Sequence, residues 1–419
     1  MNSNASHSVT VIGAGIVGLC VAYALCKDGF AVQVIDPEDP GSQCSFGNAG
    51  AISAGSVAPL AMPGILKNAT KMLLEADGPL YVPPHYWLRA APWLWRFIAS
   101  ATPQRVEEIA TALTDLFADA VEHHRALARE VGCPDRVVQT GQLHLYRDAA
   151  ALEKDRGSWR LRERHGVRCE RLDSAAIRAL EPAVNSDYTA AMFMPEQGAV
   201  THPFAYAQAI AEAARQRGVV FVRDQVQALS RDTDGWMVQG TQRGYRTAQV
   251  VLAAGVGSAQ LLRPLGLRVP LESQRGYHLH VASSNLTIRR PIVFAEHKVF
   301  AVPMEHGLRI SGTVEFGGLD MPPTSPRAAA LGKAAVQGLP GLKLDAPTIW
   351  MGHRPCLPDS LPVLGPVRRY PGLWCAFGHG HLGVTGSVNT GRWITEGIRG
   401  RIRGRMAARR YAAFAVERF

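Results

Sequence analysis

The sequence lacks any C-x-x-C pair, and its seven cysteines are odd in number and scattered along 419 residues. A disulfide framework needs an even set of cysteines, and zinc ribbons use closely paired ones. We therefore expect neither of these, no metal site, and a chain that works in a reducing compartment, the cytoplasm.

A basic leader segment is also missing in front of the apolar run VTVIGAGIVGLCVAYALC (9–26). By length alone these 18 residues suit a signal peptide or a membrane span. A secretory signal begins with positive charges, however, and GAGIVG turns a strand into a helix better than it continues a spanning helix. We expect a buried strand followed by a buried helix, and no export.

Lysine and acidic residues are scarce at the C-terminus. Residues 391–419 hold eight arginines, no lysine, two glutamates and no aspartate, a net +6 of the chain's +10. Such a tail suits a solvated terminal helix, and contact with anionic lipid is the alternative that stays open. No RNA- or DNA-binding motif accompanies it, so we expect no nucleic-acid partner.

Internal repeats and low-complexity linkers are absent as well. The composition, 47% hydrophobic and 19% charged residues, is that of a folded protein, and the length predicts two domains.

The first motif that is present is a glycine fingerprint in a βαβ context. The β-branched run Val9–Ile12 leads into Gly13-x-Gly15-x-x-Gly18 and an apolar helix, and a second strand, AVQVID, ends at Asp36. Gly13 permits a tight turn, Gly15 lets the backbone approach a pyrophosphate, and Gly18 lets helix and strand pack closely. The helix N-terminus then binds phosphate, and Asp36 accepts hydrogen bonds from an adenosine ribose. This pattern predicts dinucleotide binding.

Three later regions favour FAD over NAD. QCSFGNAG (43–50) follows the second strand with small and amide residues that suit a loop against a cofactor. GVVFVRDQVQAL (218–229) indicates a further strand, and VVLAAGVGSAQLL (250–262) ends a strand in alanines and glycine, where a backbone comes close to a flat or anionic group. FGHGHLGVTGSVNTG (377–391) places a glycine turn before a second helix N-terminus.

Together these segments resemble the D-amino acid oxidase superfamily of flavoproteins, and most of all its bacterial D-amino acid dehydrogenase branch (small-subunit type). The similarity runs nearly end to end, through VIGAGIVGLCVAYAL, CSFGNAGAIS, VLAAGVGS, SQRGYHLHV, ISGTVEF, GHRPCLPDSLPVLG, GHGHLGVT and the terminal VERF.

The resemblance implies an α/β (α+β) fold of p-hydroxybenzoate-hydroxylase-like type. A Rossmann-like FAD-binding domain would be assembled from 1–57, 196–265 and 345–419, and an antiparallel-sheet substrate domain from 58–195 and 266–344. The residues agree independently: 266–316 is rich in short strands, and 104–131 has the pattern of a polar-faced helix.

The resemblance also implies FAD as cofactor and a set of residues around it. The predicted cofactor-binding residues are Gly13, Ala14, Gly15, Ile16, Val17, Gly18, Asp36, Cys44, Ser45, Asn48, Ala49, Gly50, Val226, Ala253, Ala254, Gly255, Gly380, His381, Leu382, Gly383, Val384 and Thr385.

The implied reaction is oxidative deamination of a D-amino acid, with a hydride passing from the α-carbon to flavin N5 to give an imino acid and then a 2-oxo acid. Electrons would go to a quinone or another acceptor. Three alternatives stay open: a dehydrogenase of cyclic or N-substituted amino acids (D-proline, cis-4-hydroxy-D-proline, sarcosine or glycine), an oxidase, and a flavin-bearing subunit of a larger complex.

The predicted catalytic residues begin with Arg354, which matches the arginine of the family's G-x-R-P segment. A planar, permanently charged guanidinium binds a substrate carboxylate bidentately, and the prolines around it keep it in place; a structural ion pair is the alternative. Tyr277 and His278 follow on one strand, where only one of them can face the flavin, and we favour Tyr277. His381 lies near the flavin, to polarise it or to bind substrate. Some amine-oxidising relatives carry flavin covalently through a cysteine near Cys356, which we expect to be an ordinary small side chain here.

Tryptophans and arginines cluster in residues 55–101. This composition suits either a buried domain interface or lid, or a peripheral contact with the cytoplasmic face of the inner membrane. The expected partners are thus an amino acid substrate, a quinone or other electron acceptor, and, in the second case, the membrane surface.

Overall fold

The computed structural model describes residues 8–64, 80–401 and 404–419. Within them the strands, in chain order, are β1 (Ser8–Ile12), β2 (Ala31–Asp36), β3 (Ala51–Ile52), β4 (Leu80–Tyr81), β5 (Val137–Val138), β6 (Gln142–Tyr146), β7 (Glu170–Asp173), β8 (Ala190–Met194), β9 (Gly198–Val200), β10 (Val220–Arg223), β11 (Val226–Asp232), β12 (Gly235–Gly240), β13 (Gly244–Thr247), β14 (Gln249–Leu252), β15 (Glu272–Val281), β16 (Ile292–Phe294), β17 (Val299–Pro303), β18 (Leu308–Phe316), β19 (Thr348–Cys356), β20 (Val363–Pro366) and β21 (Leu373–Phe377).

The α-helices of the same residues are α1 (Ile16–Lys27), α2 (Trp87–Ala99), α3 (Pro103–Phe117), α4 (Ala120–Glu130), α5 (Ala149–Lys154), α6 (Arg156–Arg164), α7 (Ser174–Leu180), α8 (Pro203–Gln216), α9 (Ser258–Leu262), α10 (Ser325–Gly338), α11 (Gly383–Ile398) and α12 (Gly404–Ala412).

A six-stranded sheet contains the predicted βαβ unit. Its strand order is β10-β2-β1-β14-β21-β20, parallel except for β20. Its central strands are nearly continuous runs of buried apolar residues, as expected for a parallel sheet covered on both faces. Helices α1 and α11 pack against each other closely at Gly391, where a Cβ atom would lie 2.6 Å from the carbonyl oxygen of Cys20.

A larger, mostly antiparallel sheet holds the remaining long strands. Its order is β19-β15-β18-β17-β16-β6-β8-β7, with β4 added beside β18. Helix α10 covers one face and shares an apolar core with β15 and β18. At its β19 edge the sheet meets the loops of the six-stranded sheet, for example where the Gly380 N–H donates to the carbonyl of Pro355 at 2.9 Å.

The predicted fold class is confirmed, because a Rossmann-like sheet and a mostly antiparallel sheet are both present. The domain boundaries stay a prediction. Strand β19 joins the larger sheet, although its residues fall within the segment predicted for FAD binding. The helical pattern of 104–131 is interrupted: α3 and α4 are separate, and Asp119 between them has a φ of +53°.

Among the described residues, none of the helices combines the length and the apolar composition that crossing a bilayer requires. Residues 65–79, part of the predicted tryptophan-rich region, lie outside the described residues. So do residues 1–7, and residues 402–403 of the arginine-rich tail.

Candidate active site

Two positions of the glycine motif after β1 require glycine. Gly13 has a φ of +107°, and a Cβ atom there would lie 2.4 Å from the carbonyl oxygen of Ala253. A Cβ atom at Gly18 would lie 2.0 Å from the carbonyl oxygen of Gly13. At Gly15, in contrast, the nearest atom to such a Cβ is Oγ of Ser45 at 3.6 Å. Gly13 and Gly18 therefore serve packing, whereas Gly15 leaves its side of the turn open.

Asp36 closes the same turn. Its Oδ2 accepts the N–H of Ala14 at 2.6 Å and its Oδ1 accepts the N–H of Glu38 at 2.8 Å. Burial raises the pKa of this carboxyl. The carboxylate thus lies at the carboxyl end of β2, beside the N-terminus of α1, which is where a dinucleotide ribose binds in this type of fold. Val226, at the start of β11, packs in the same apolar cluster as Ile35 of β2.

Helix α1 presents its N-terminus without an acidic residue in the first turn. The N–H of Ile16 donates to Oγ of Ser45 at 2.8 Å. The side chains of Ala14 and Ile16 are buried and that of Val17 half-buried. The N–H groups of Ala14 and Ile16 already donate to Asp36 and Ser45, so of these three residues Val17 is the one whose backbone N–H can bind a phosphate.

Two further loops reach the same edge of the sheet. After β14, a Cβ atom added at Gly255 or Gly257 would meet no atom within 4 Å, so this turn leaves open space beside Ala253 and Ala254. After β21, Gly380 has a φ of +56°, and α11 begins at Gly383 with no side-chain cap on its first turn.

The start of α11 contributes backbone rather than side chains. Val384 and Thr385 are buried, and Oγ1 of Thr385 accepts the N–H of Ser53 at 3.0 Å. Leu382 is half-buried at the N-cap position. The helix therefore offers a second set of N-terminal amides to an anion.

The loop at 43–50 connects this edge to the larger sheet. The Arg309 guanidinium donates from one nitrogen to the carbonyls of Phe46 (3.0 Å) and Asn48 (2.6 Å). Within the loop, Oδ1 of Asn48 accepts the N–H of Gly50 at 2.8 Å, and Ala49 between them is half-buried. Burial lowers the pKa of Arg309 to about 10.

A recess lies beside the glycine turn after β21, and its lining includes Cys356, Gly380 and His381. The side chains of Cys44 and His381 expose surface, yet the surrounding protein raises the pKa of the Cys44 thiol and lowers that of His381 to about 4. The open glycines, the two helix N-termini and the acid at the end of β2 fit an extended dinucleotide.

Arg354 projects from β19 toward this recess. Its guanidinium lies over Gly276 of β15, where a Cβ atom would come within 2.1 Å of Cζ. The two terminal nitrogens donate to the carbonyls of Thr313 (2.7 Å) and Gly312 (3.3 Å) in β18. No carboxylate of a described residue lies within 4.0 Å of the guanidinium, so the ion-pair alternative finds no partner in that part of the chain. Burial lowers the pKa of Arg354.

A β-bulge provides the two carbonyls. The register between β15 and β18 shifts between Arg275 and Tyr277, and Thr313 in the bulge has a φ of +55°. The extra residue in β18 aims the carbonyls of Gly312 and Thr313 out of the regular ladder. Two of the five guanidinium N–H groups are used in this way, which leaves donors for a ligand.

Tyr277 does not reach this face, contrary to our expectation. The residue is fully buried on the α10 side, where its hydroxyl donates to Oε2 of Glu315 at 2.5 Å and accepts the N–H of Thr324 at 2.9 Å. Side chains alternate along β15, so Gly276 and His278 lie on the face of the sheet that carries Arg354, and Tyr277 lies on the opposite face.

His278 shares the face of Arg354. A ring nitrogen, Nδ1, donates to the carbonyl of Gly47 at 3.0 Å, and the ring stacks on Trp350 with centroids 5.2 Å apart. Burial and then Arg309 lower the pKa of His278 to about 3. His381 is likewise neutral at pH 7, since burial and then Arg354 depress its pKa. The structure thus places His278 on the same face of the larger sheet as Arg354, and His381 close to Arg354.

Sequence reasoning missed Trp350 and Arg309. Trp350, Gly352 and Arg354 alternate along β19 and share one face, so the spacing W-x-G-x-R carried the signal for Trp350. Nothing in the sequence indicated Arg309. Cys356 is buried beside Gly380, and burial raises the pKa of its thiol to about 12, which disfavours a reactive thiolate.

Comparison with known proteins gives the family. Residues 8–397 match the sequence model of DAO, described as FAD dependent oxidoreductase. A D-amino-acid oxidase of Bradyrhizobium diazoefficiens is 36% identical over 94% of this chain and 95% of the relative. A D-amino acid dehydrogenase of Paramagnetospirillum magneticum is 34% identical over the same shares.

Solved structures agree on the fold. Glycine oxidase from Geobacillus kaustophilus superposes with a TM-score of 0.76 at 20% identity, covering 99% of each chain. L-proline dehydrogenase from P. horikoshii gives 0.76 at 18% identity over 98% of this chain and 97% of the other. The family is FAD dependent, and the open glycines and the helix N-termini fit that cofactor. The chain is a member of the DAO family of FAD-dependent oxidoreductases.

Proposed function

We propose that this enzyme oxidises D-amino acids. FAD, when bound, accepts the hydride that leaves the substrate α-carbon. The amine nitrogen loses one proton to solvent, and the C–N bond becomes an imine. Water then hydrolyses the imino acid to a 2-oxo acid and ammonia, while the two electrons pass on to an external acceptor.

The observation that carries the proposal is the state of Arg354. Its guanidinium is held by two backbone carbonyls and faces no carboxylate among the described residues. A cation placed in this way beside the recess is suited to bind the carboxylate of an amino acid bidentately. The relatives named above, at 34–36% identity over most of the chain, support D-amino acids as the class.

The neighbouring histidines suit this chemistry as neutral groups. The pKa values of His278 and His381 lie at about 3 and about 4, so neither adds a positive charge beside Arg354 at pH 7. We propose that both shape the pocket, and that the amine proton goes to solvent without a dedicated base.

An anaerobic titration of the flavin absorbance tests the function. Purified holoenzyme is mixed with single amino acids, and bleaching near 450 nm (roughly, the usual band of oxidised flavin) is recorded. D-alanine and other D-forms should bleach the band, and the L-forms should not. Bleaching only by D-proline, sarcosine or glycine would assign the enzyme to cyclic or N-substituted substrates. A flavin that no amino acid bleaches would discard the proposal.

We further propose that the electrons go to a quinone at the inner membrane. Helix α2 supports this, since Leu88 is 92% and Trp95 73% exposed beside exposed Arg89 and Arg96, a composition typical of membrane-surface helices. The names of the relatives, oxidase and dehydrogenase, leave the acceptor to experiment.

Two measurements test the acceptor and the membrane contact. Reoxidation by a soluble quinone should be faster than reoxidation by air. The holoenzyme should float with vesicles that contain anionic lipid, and a Trp95→Ala, Leu88→Ser variant should float less. Reoxidation by oxygen at equal or greater rate, or no flotation, would contradict these two assignments without touching the substrate class.

A further inference from the structure

Two glycines form a flat floor beside Arg354. Gly276 of β15 and Gly352 of β19 are direct partners in the antiparallel register. Neither carries a side chain, so side chains of neighbouring residues can lie directly over this pair. A Cβ atom at Gly276 would lie 2.1 Å from Cζ of Arg354, and one at Gly352 would lie 2.0 Å from Cη2 of Trp350. The floor is therefore covered by a guanidinium on one side and an indole edge on the other.

The register makes those two groups neighbours. Directly opposed residues in an antiparallel pair have Cβ positions about 5 Å apart. The guanidinium carbon and the indole edge each lie within about 2 Å of one of these positions, as the distances above show. Arg354 and Trp350 are four residues apart on β19. Their side chains extend toward each other and lie over the same pair of glycines.

The indole is fixed in place. It stacks on the imidazole of His278 with an interplanar angle of 20° and is tilted against Phe46 with centroids 6.4 Å apart. A Cβ atom at Gly47 would lie 2.0–2.2 Å from three carbons of its six-membered ring. The His278 ring is itself held by the Gly47 carbonyl. Trp350 is thus a rigid wall between the glycine floor and the 43–50 loop.

We propose that Trp350 is the wall that the substrate side chain meets, and that it limits the size of that side chain. The inference rests on the proposed function, because it takes the substrate carboxylate to lie on Arg354. An amino acid anchored there has its side chain only a few bonds from the guanidinium, and the indole edge is the adjacent group on the floor. The enzyme accepts short side chains such as that of alanine and discriminates against aromatic ones.

The test compares substrates across variants at Trp350. Wild type, Trp350→Phe and Trp350→Leu are assayed for kcat/KM with D-alanine and D-phenylalanine, and FAD content is read from the visible spectrum. The ratio of D-phenylalanine to D-alanine should rise by about tenfold or more in Trp350→Leu, the size of a lost hydrophobic contact, and less in Trp350→Phe. Trp393→Leu, at a half-buried tryptophan of α11 that packs against Phe414, is the matched control and should leave the ratio unchanged.

The outcomes separate the inference from the function on which it rests. Equal changes for both substrates, or loss of FAD with an unchanged ratio, would overturn the inference and make Trp350 a support of the 43–50 loop. If Trp350→Leu loses FAD, the ratio in Trp350→Phe decides. A wild type that oxidises no D-amino acid would overturn the proposed function, and the inference with it.

Discussion

At the scale of single residues, Arg354 shows how a cation is held without an acidic partner from the described residues. A carboxylate partner would compete with the substrate carboxylate, whereas the carbonyls of Gly312 and Thr313 hold the guanidinium and leave its charge unneutralised. The fixed orientation reduces the entropy lost on binding.

Replacing Arg354 with lysine should raise KM for the amino acid by about 10- to 100-fold, because an ammonium group cannot bind a carboxylate bidentately. FAD content should not change, since the arginine lies on the larger sheet. Steady-state kinetics and the visible spectrum measure both. Arg160→Lys, at an exposed site in α6, is the control, and an unchanged KM in Arg354→Lys would exclude the carboxylate role.

Gly276→Ala should weaken substrate binding in a similar way. Its Cβ atom would lie 2.1 Å from Cζ of Arg354, so the guanidinium has to move off the two carbonyls. We expect KM to rise by about tenfold, with the flavin spectrum retained. Gly157→Ala in α6 is the matched control, because a Cβ there meets no atom within 4 Å and alanine favours a helix. Equal kinetics in the two variants would show that the guanidinium does not depend on Gly276.

The sequence predicts this site in part. The tight packing at Gly13 and Gly18 and the position of Asp36 at the end of β2 follow from local geometry and could be predicted directly, whereas their cofactor roles stay a prediction. The face of Tyr277 could not, because alternation says only that Tyr277 and His278 are opposed; which of them meets the recess depends on where α10 packs.

At the scale of elements, the clearest failure is the single helix expected over 104–131. The chain breaks at Asp119, and the carbonyls of Leu116 and Ala118 at the break are satisfied by Nδ2 of Asn389 at 2.8 Å each. Asn389 belongs to α11, more than 250 residues further along the chain. A local pattern cannot reveal a tertiary partner of this kind, whereas the strands of 266–316 depend on local alternation and were predicted correctly.

The C-terminal segment closes the loop that follows Arg354. Nε of Arg418 donates to Oδ2 of Asp359 at 2.9 Å, with both side chains about nine-tenths buried. Arg418→Ala leaves Asp359 with Arg105 alone, at 3.3 Å, and should lower the free energy of unfolding by about 3 kcal/mol in denaturant titrations.

Arg246→Ala is the control for that measurement. Arg246 pairs with Asp232 at 3.2 Å, but its side chain is 79% exposed, and such pairs contribute under about 1 kcal/mol. Equal losses in the two variants would mean that the Arg418 pair does not hold the C-terminal segment.

At the scale of the whole molecule, buried neutral histidines set the response to acid. Burial lowers the pKa of His124 to about 4 and those of His278 and His379 to about 3, from a model-peptide value of 6.5. Between pH 6.5 and about 4 the unfolded chain therefore binds more protons than the folded one. The stabilisation is complete above pH 6.5 and is lost as the pH falls, by about 1.4 kcal/mol per pH unit for each histidine.

The free energy of unfolding, measured between pH 7.5 and 4.5, should show this decline. In His124→Gln the slope should be smaller by the contribution of one histidine, about 1.4 kcal/mol per pH unit below pH 6.5. Nδ1 of His124 faces the hydroxyl of Tyr206 at 3.0 Å and Nε2 faces the carbonyl of Val384 at 2.8 Å, and an amide can replace both contacts. The same pH slope in the variant would contradict the assignment.

Strand β18 has a consequence for how the molecule tolerates change. Arg309 near its start ties down the loop at 43–50, and Gly312 and Thr313 hold Arg354. Gly312 and Thr313 follow Arg309 by three and four residues, at most roughly 13 Å along the strand, and covalent geometry fixes that spacing. The offset between the 43–50 loop, where we propose that FAD binds, and Arg354, the proposed anchor of the substrate, is thus a property of one short peptide. Insertions or deletions elsewhere leave it intact, whereas one residue gained or lost between 309 and 313 would misalign both ligands at once.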